Sequence, residues 1–462
     1  MRNLDDIHME AIAPRKLQLG CLVFVGLIQL VILFFGPLVD GPMRTYVIID
    51  MSIAGLFFLG LTIRQPLSRT AKKLLFSGMA FCGWVLLLQF SDYIHFQTTA
   101  YYGARFIYSG FLCEYLMLLP WAAAVDEQRK DTGLRAMGLI FLVISASYCV
   151  FGVMTVAGRP PHLFDRFMGW AGPRMGLQFH PNVTAFIYLV GVIFSMAFLF
   201  LTRRRWLQVL LGISIIPQFL LMSLTNARTV LLLCGCLFGG THFFSVYTAG
   251  TEKDNWKRFL LGLAAAAVCI VAIYKISDWI CAANASWMAK RGIEMGQLQL
   301  EDAAIMQSGQ REFSYGLLSL NGRTEIWAGM LQGIKEHPEV LIGGVKNPGA
   351  FISRYYLDGV AHAHNGWFET LLRLGLVGFG FALYFTCLAV KNAILIMFFR
   401  RTTMFQKVIA MLSICILCNE VLEPHLFYVE CPFCFVNILF LLSLGYLVHW
   451  AEQTEKLKPL QK

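Results

Sequence analysis

His362-Ala363-His364-Asn365-Gly366-Trp367 ends the longest polar segment of the chain and opens an apolar run that contains Gly375 and Gly378. Two imidazoles and an amide therefore stand where an aqueous segment meets a hydrophobic one. Polar groups at such a boundary are costly unless they find partners, which makes the stretch a candidate functional site. Its reading turns on whether the following run crosses a membrane, and on which side the histidines then lie.

Composition answers the first question. The 462 residues are 57% hydrophobic and only 14% charged, with a mean hydropathy of +0.61. A soluble chain of this length needs far more charge to cover its surface, so a polytopic membrane protein is expected. The 38 phenylalanines and 40 glycines suit lipid-facing and closely packed helices. A net charge of +10 fits basic cytoplasmic loops; no basic-aromatic module accompanies it, so nucleic acid is not an expected partner. Most cysteines, among them Cys21, Cys82, Cys149, Cys234, Cys236 and Cys269, lie within apolar runs and read as small hydrophobes. Cys431-Pro-Phe-Cys434 has redox-motif spacing but no βαβ context around it. The first apolar run is too long for a signal-peptide core and lacks a small-residue cleavage site, so it reads as a retained span.

Apolar segments long enough to cross a bilayer fall near 17–35, 45–63, 74–90, 106–125, 136–157, 183–202, 206–223, 229–249, 259–275, 368–390, 404–421 and 432–450. The expected fold is all-α, with about twelve transmembrane helices. Its organisation is helices one to nine over 1–275, an extracytoplasmic loop subdomain over 276–367, and helices ten to twelve with a tail over 368–462. Basic residues set the orientation. Arg203-Arg204-Arg205, Lys253, Lys257, Arg258, Arg400, Arg401 and the other alternate segments hold about 23 of them, against about six in the short loops opposite. Both termini are therefore expected in the cytoplasm and residues 276–367 outside. Within that segment Gly322–Lys335 has helical spacing, with Ile326, Trp327, Met330, Leu331 and Ile334 on one stripe and Pro338 ending the helix.

Four polar clusters fall on the outer side. Arg174-Met-Gly-Leu-Gln-Phe-His180-Pro181-Asn182 precedes the sixth span and reads either as a helix-starting interfacial turn or as a site. Leu224-Thr225-Asn226-Ala227-Arg228 joins two apolar runs, as an outer cap with a snorkelling arginine or as a ligand-binding turn. Gly322-Arg323-Thr-Glu325-Ile-Trp327 starts the loop helix, as a solvated face or as a cation supplied to a ligand. His362 and His364 form the fourth. Asp50, Glu114 and Glu420 are acidic residues within spans, and such carboxylates face a cavity or pair with a cation. No phosphate loop, Gly-x-Ser-x-Gly or Cys/His metal spacing occurs. Neither paired halves nor broken helices of the transporter kind are apparent.

Together, in this order, the clusters resemble the O-antigen ligase and polymerase superfamily of bacterial membrane glycosyltransferases. His364-Asn365, nine residues, then Gly375-Leu-Val-Gly378 is similar to that family's His-(Asn/Ser/Gln)-x9-Gly-x-x-(Gly/Thr/Tyr) signature. The resemblance implies transfer of a glycan from a polyprenyl-diphosphate carrier to the hydroxyl of a lipid or glycan acceptor, such as lipid A-core. The reaction would occur on the outer face of a bacterial inner membrane, without metal or cofactor. A repeat-unit polymerase of the same superfamily is the alternative, and a transporter or flippase of lipid-linked glycan is a reading from a different class.

The residues make chemical sense of the transfer. Without a metal, the charge of a leaving diphosphate must be met by cations, and arginine offers fixed, always-charged, bidentate donors. Arg228 and Arg323 carry over from the family pattern, with Arg174 a third and Asn182 beside it. An imidazole suits deprotonation of an acceptor hydroxyl. His364 is the expected base, with His362 orienting it or touching the acceptor, and Asn365 fixing the ring or binding sugar. The turn departs from many relatives at Ala227, where a serine hydroxyl is usual, so Thr225 or Asn226 must supply that contact.

Overall fold

Pro181 occupies the first position of a helix, where its missing N–H costs nothing and its fixed φ is already helical. The run behind it stays apolar on every face, and nearly all of residues 181–197 are buried. The computed structural model describes residues 27, 69–96, 132–157, 169–171, 174–177, 181–248, 255–294, 323–345, 347–355, 362–421, 426 and 434–457. The elements are α1 (Arg69–Phe96), α2 (Thr132–Val156), β1 (Gly169–Ala171), β2 (Arg174–Leu177), α3 (Pro181–Leu201), α4 (Arg205–Leu224), α5 (Arg228–Thr248) and α6 (Asn255–Glu294). They continue with α7 (Arg323–Glu336), α8 (Val340–Gly343), α9 (Pro348–Ser353), α10 (Gly366–Phe398), α11 (Met404–Glu420) and α12 (Cys434–Leu457).

Among the described residues, seven helices are long and apolar enough to cross a membrane: stretches of α1 to α6 and α10. Helices α11 (Met404–Glu420) and α12 (Cys434–Leu457) fall at the expected positions 404–421 and 432–450, of which 432 and 433 lie outside the described residues. The expected spans at 45–63 and 106–125, with Asp50 and Glu114, lie outside the described residues. So does 17–35, apart from Leu27. Two features depart from the expected layout. Residues 169–177 form a short antiparallel ribbon in which Trp170 faces Met175 and Ala171 faces Arg174. The ninth span, expected to end near 275, continues as helix to Glu294. At about 1.5 Å per residue this rod is roughly 60 Å long, twice a bilayer's hydrocarbon core.

The chain divides into two compact units. One takes residues 141–324 and 397–415. Its helices approach through small residues. Gly235 and Gly239 of α5 lie so close to the backbone of Ile270 and Ala266 on α6 that a Cβ at either position would press on it. This is the small-xxx-small packing that lets apolar helices gain dispersion contact. Ser145 donates to Gln218 Oε1 at 3.1 Å, and Gln218 Nε2 donates to Ser195 Oγ at 3.2 Å. That tie fixes α2, α3 and α4 about Gly191, which leaves room for the Ser145 and Gln218 side chains. At the far end of α10, buried Lys407 donates to the carbonyls of Met397 at 2.7 Å and Phe399 at 2.8 Å. A cation there satisfies carbonyls left without helical partners and complements the helix dipole.

The other unit takes residues 1–140, 325–396 and 416–462. Ile326 and Met330 of α7 are buried with Val340, Phe351, Ile352, Ala363 and Leu372, while Trp327 and Ile334 pack at the edge. The expected stripe is thus used, except that Leu331 is exposed. Helix α10 is not continuous, contrary to the expectation of unbroken spans. Gly375 leaves helical geometry at φ 65° and ψ −169°. A Cβ on Gly375 would meet the carbonyls of Ile342 and Leu341, and one on Gly344 (φ 73°) would meet the carbonyls of Arg373 and Leu372. Two glycine backbones pass each other here. The freed carbonyls are taken up: Val345 N–H donates to Leu372 O at 2.5 Å, and Trp84 Nε1 donates to Leu374 O at 2.8 Å. Gly378 makes room for Leu374. The Gly-x-x-Gly of the sequence is therefore the device that breaks the helix and seats the 341–345 segment against it.

Candidate functional site

Asn365 immediately precedes helix α10, and its Oδ1 accepts from Phe368 N–H at 3.0 Å and so caps the helix. Its Nδ2 donates to Val421 O at 2.9 Å. Asn365 is buried, and both ends of its amide hold backbone groups. One residue earlier, His364 is left-handed at φ 49°. Its N–H donates to His362 Nδ1 at 3.2 Å, and the two rings lie 4.0 Å apart between centroids. Accepting that bond leaves Nε2 of a neutral His362 as the proton-bearing nitrogen. Between the histidines, Ala363 is fully buried. Glu369 Oε2 accepts its N–H at 2.9 Å, and Trp327 Nε1 donates to its C=O at 2.9 Å. Glu369 Oε1 also accepts from Arg373 Nε at 2.5 Å. Glu420, the intramembrane carboxylate noted in the sequence, is buried against Gly366 and accepts from Leu426 N–H at 3.0 Å.

A second cluster lies in the other unit. Arg174 opens β2, donating from Nε to Thr225 O at 2.9 Å and from a terminal nitrogen to Asn182 Oδ1 at 2.7 Å. One guanidinium thereby ties the ribbon, the start of α3 and the α4–α5 turn together. Thr225 Oγ1 donates to Met222 O at 2.6 Å and accepts from Ala227 N–H at 3.3 Å. That hydroxyl shapes the turn from within. Asn226 is left-handed at φ 48°, and Arg228 is the half-buried first residue of α5. Helix α6 brings Tyr274, Asp278 and Cys281 alongside. Arg228 and Asp278 act electrostatically on both Tyr274 and Cys281, and Arg174 acts on Cys281. Cys281 Sγ donates to Ser223 O at 3.0 Å.

Arg323 is the half-buried first residue of α7. A cation there opposes the helix dipole, and Glu325 in the same turn offsets it. His180, Gly322, residues 308–319 and Cys431 lie outside the described residues.

The structure thus brings His362, His364 and Asn365 into one group, and Arg174 and Asn182 into another with Arg228 nearby. Spacing did not announce Glu369 or the α6 residues, nor the hydrogen-bonding roles of Trp327 and Thr225, which the motifs named without a partner. Glu369 and Arg373 do stand four apart on a helix, a spacing that pairs charges, but both lie within an apolar run. Among the described residues, three non-glycine residues have positive φ: Leu177, Asn226 and His364. Each falls inside one of the four sequence motifs. No group of His, Cys, Asp and Glu suited to a metal occurs among the described residues. The chain matches no family model, no curated protein and no solved structure.

Proposed function

We propose that the protein is a metal-independent membrane glycosyltransferase of the O-antigen ligase kind, moving a glycan from a polyprenyl-diphosphate carrier to an acceptor hydroxyl. The coincidence of left-handed residues with the motifs carries this reading. Non-glycine residues rarely adopt that geometry, it costs free energy, and it recurs where side chains are aimed for chemistry. Three sequence motifs chosen for chemistry each hold one.

In the proposed reaction His364 takes the proton of the acceptor hydroxyl. The oxygen attacks the anomeric carbon, and the bond from that carbon to the diphosphate oxygen breaks with inversion. The electron pair leaves with the diphosphate, whose charge is met by Arg228, Arg174 and Arg323. The twelve-span arrangement, with both termini in the cytoplasm and this chemistry on the outer face of a bacterial inner membrane, belongs to the same proposal.

The height of the arginines supports it. Trp256 and Trp279 of α6 are both exposed and stand about 35 Å apart along the helix. That is close to one hydrocarbon thickness, and tryptophan favours the two interfaces. Trp279 adjoins Asp278, the neighbour of the Arg228 cluster, so in the proposed membrane arrangement this cluster falls at headgroup height, where a lipid diphosphate would carry its charge.

The test is reconstitution with a polyprenyl-diphosphate glycan, candidate acceptors and chelator. Transfer to a lipid core identifies a ligase, and chain lengthening identifies the polymerase alternative. Loss of transfer in His364→Ala with normal membrane insertion is expected. A product of retained configuration, or a need for added metal, would overturn the mechanism. The transporter reading requires His364→Ala to leave transport intact. The break in α10 gives that reading little, because Val345 and Trp84 already occupy carbonyls it frees.

A further inference from the structure

We infer that the peptide of Ala363 is the clamp that aims His364, and that Glu369 and Trp327 are its positioning residues. The inference rests on the proposed transferase reading for the use to which the aim is put, while the clamp itself is a matter of geometry. Ala363 stands between the two histidines, and both of its backbone polar groups are held from outside the loop, each at 2.9 Å. The N–H goes to Glu369 on α10 and the C=O to Trp327 on α7. These bonds fix the plane of the peptide on each side of Ala363, and with it the direction in which His362 and His364 leave the chain. The left-handed φ of His364 needs such an outside hold, because a strained residue relaxes unless its surroundings over-determine it.

The surroundings are buried or half-buried. Glu369 is fully buried, its other oxygen is taken by Arg373, and Phe368 meets the Trp327 ring edge-on at 5.6 Å between centroids. Arg373 precedes the break at Gly375, and its carbonyl lies against Gly344. The carboxylate therefore links the broken turn of α10 to the histidine loop through two hydrogen bonds. Neither Glu369 nor Trp327 is assigned contact with a reacting atom.

The experiment compares wild type, Glu369→Gln, the double variant Glu369→Gln with Arg373→Met, and Trp327→Phe, each full-length in lipid nanodiscs. Glu369→Gln has one acceptor oxygen for two donors, so Arg373 competes for it and the Ala363 N–H is released. Removing the guanidinium returns that oxygen to Ala363. Amide exchange at Ala363 is expected to rise about tenfold in Glu369→Gln and to recover in the double variant. For glycan transfer, kcat should fall about a hundredfold in Glu369→Gln with the donor KM within about twofold, and should recover in the double variant. Trp327→Phe keeps the ring and deletes only the N–H, and is expected to lower kcat with a similarly small change in KM.

Unchanged exchange in Glu369→Gln would overturn the clamp. So would recovered exchange with kcat still depressed in the double variant, which would mean that Glu369 acts through its charge. A wild type that transfers no glycan sinks the transferase reading instead, and the exchange comparison then judges the clamp alone.

Discussion

Glu420 fills the space that a Cβ at Gly366 would need. The carboxylate end of a buried side chain, itself holding the Leu426 N–H, lies directly on the first residue of α10. Gly366→Ala is therefore expected to push Glu420 out of its hydrogen bond and to cost about 1–3 kcal/mol in overpacking. Thermal unfolding of detergent-purified protein checks this. A Gly366→Ala, Glu420→Ala pair should recover part of the loss, since the two positions share one volume.

Arg174 spends two of its donors inside the protein, on Thr225 O and Asn182 Oδ1. Lysine cannot reproduce that fork. Arg174→Lys and Asn182→Ala should each loosen the turn that carries Arg228 and raise the KM for the diphosphate donor about tenfold, the worth of one charge-assisted bond. A lowered kcat with unchanged KM in both variants would place Arg174 outside donor binding.

Gly375 meets two obstacles to any side chain: positive φ and the carbonyls of Ile342 and Leu341. Gly375→Ala is expected to cost more than about 1 kcal/mol from backbone strain alone, and the clash adds to it. Gly380 of the same helix has open space around its Cα, so Gly380→Ala should be neutral or slightly stabilising. Equal stability of the two variants would mean that α10 is not broken at Gly375.

Cys281 shares its electrostatic surroundings with Arg228 and Arg174. A diphosphate bound by those arginines should shield it. Site-resolved maleimide labelling of Cys281 is expected to slow several-fold when the proposed lipid-linked donor is added, and labelling of exposed Cys387 to stay the same. Equal labelling of Cys281 with and without donor would argue that the anion binds elsewhere.

Much of the helical framework is legible in the sequence, because long apolar runs between arginine-rich turns have few other solutions in a membrane. The boundary Arg203-Arg204-Arg205 separates α3 from α4 as expected, and Pro181 marks the start of α3. The break in α10 is not legible as a break. Gly375-Leu-Val-Gly378 lies in an apolar run, and hydropathy does not register a backbone angle. The extension of α6 past 275 is missed for a related reason: the apolar signal fades while helical hydrogen bonding continues. The ribbon at 169–177 is too short for alternation to stand out. At the site, His362, His364 and Asn365 could be named from the motif, but the role of Asn365 as a cap depends on contacts with Phe368 and Val421. Glu369 stands at the start of the expected span 368–390, and its role depends on partners from the chain before it and one turn after it.

If the proposed activity holds, the left-handed backbone at Leu177 and His364 sets backbone strain against side-chain placement at two places. Glycine adopts this geometry without the steric penalty that other residues incur. Glycine at position 177 or 364 would relieve backbone strain there, while deleting the side chain that the strain holds in place. Variants selected only for thermal tolerance are thus drawn toward glycine at these positions, and those selected for function are drawn away from it. A protein optimised for endurance alone would abandon His364 early.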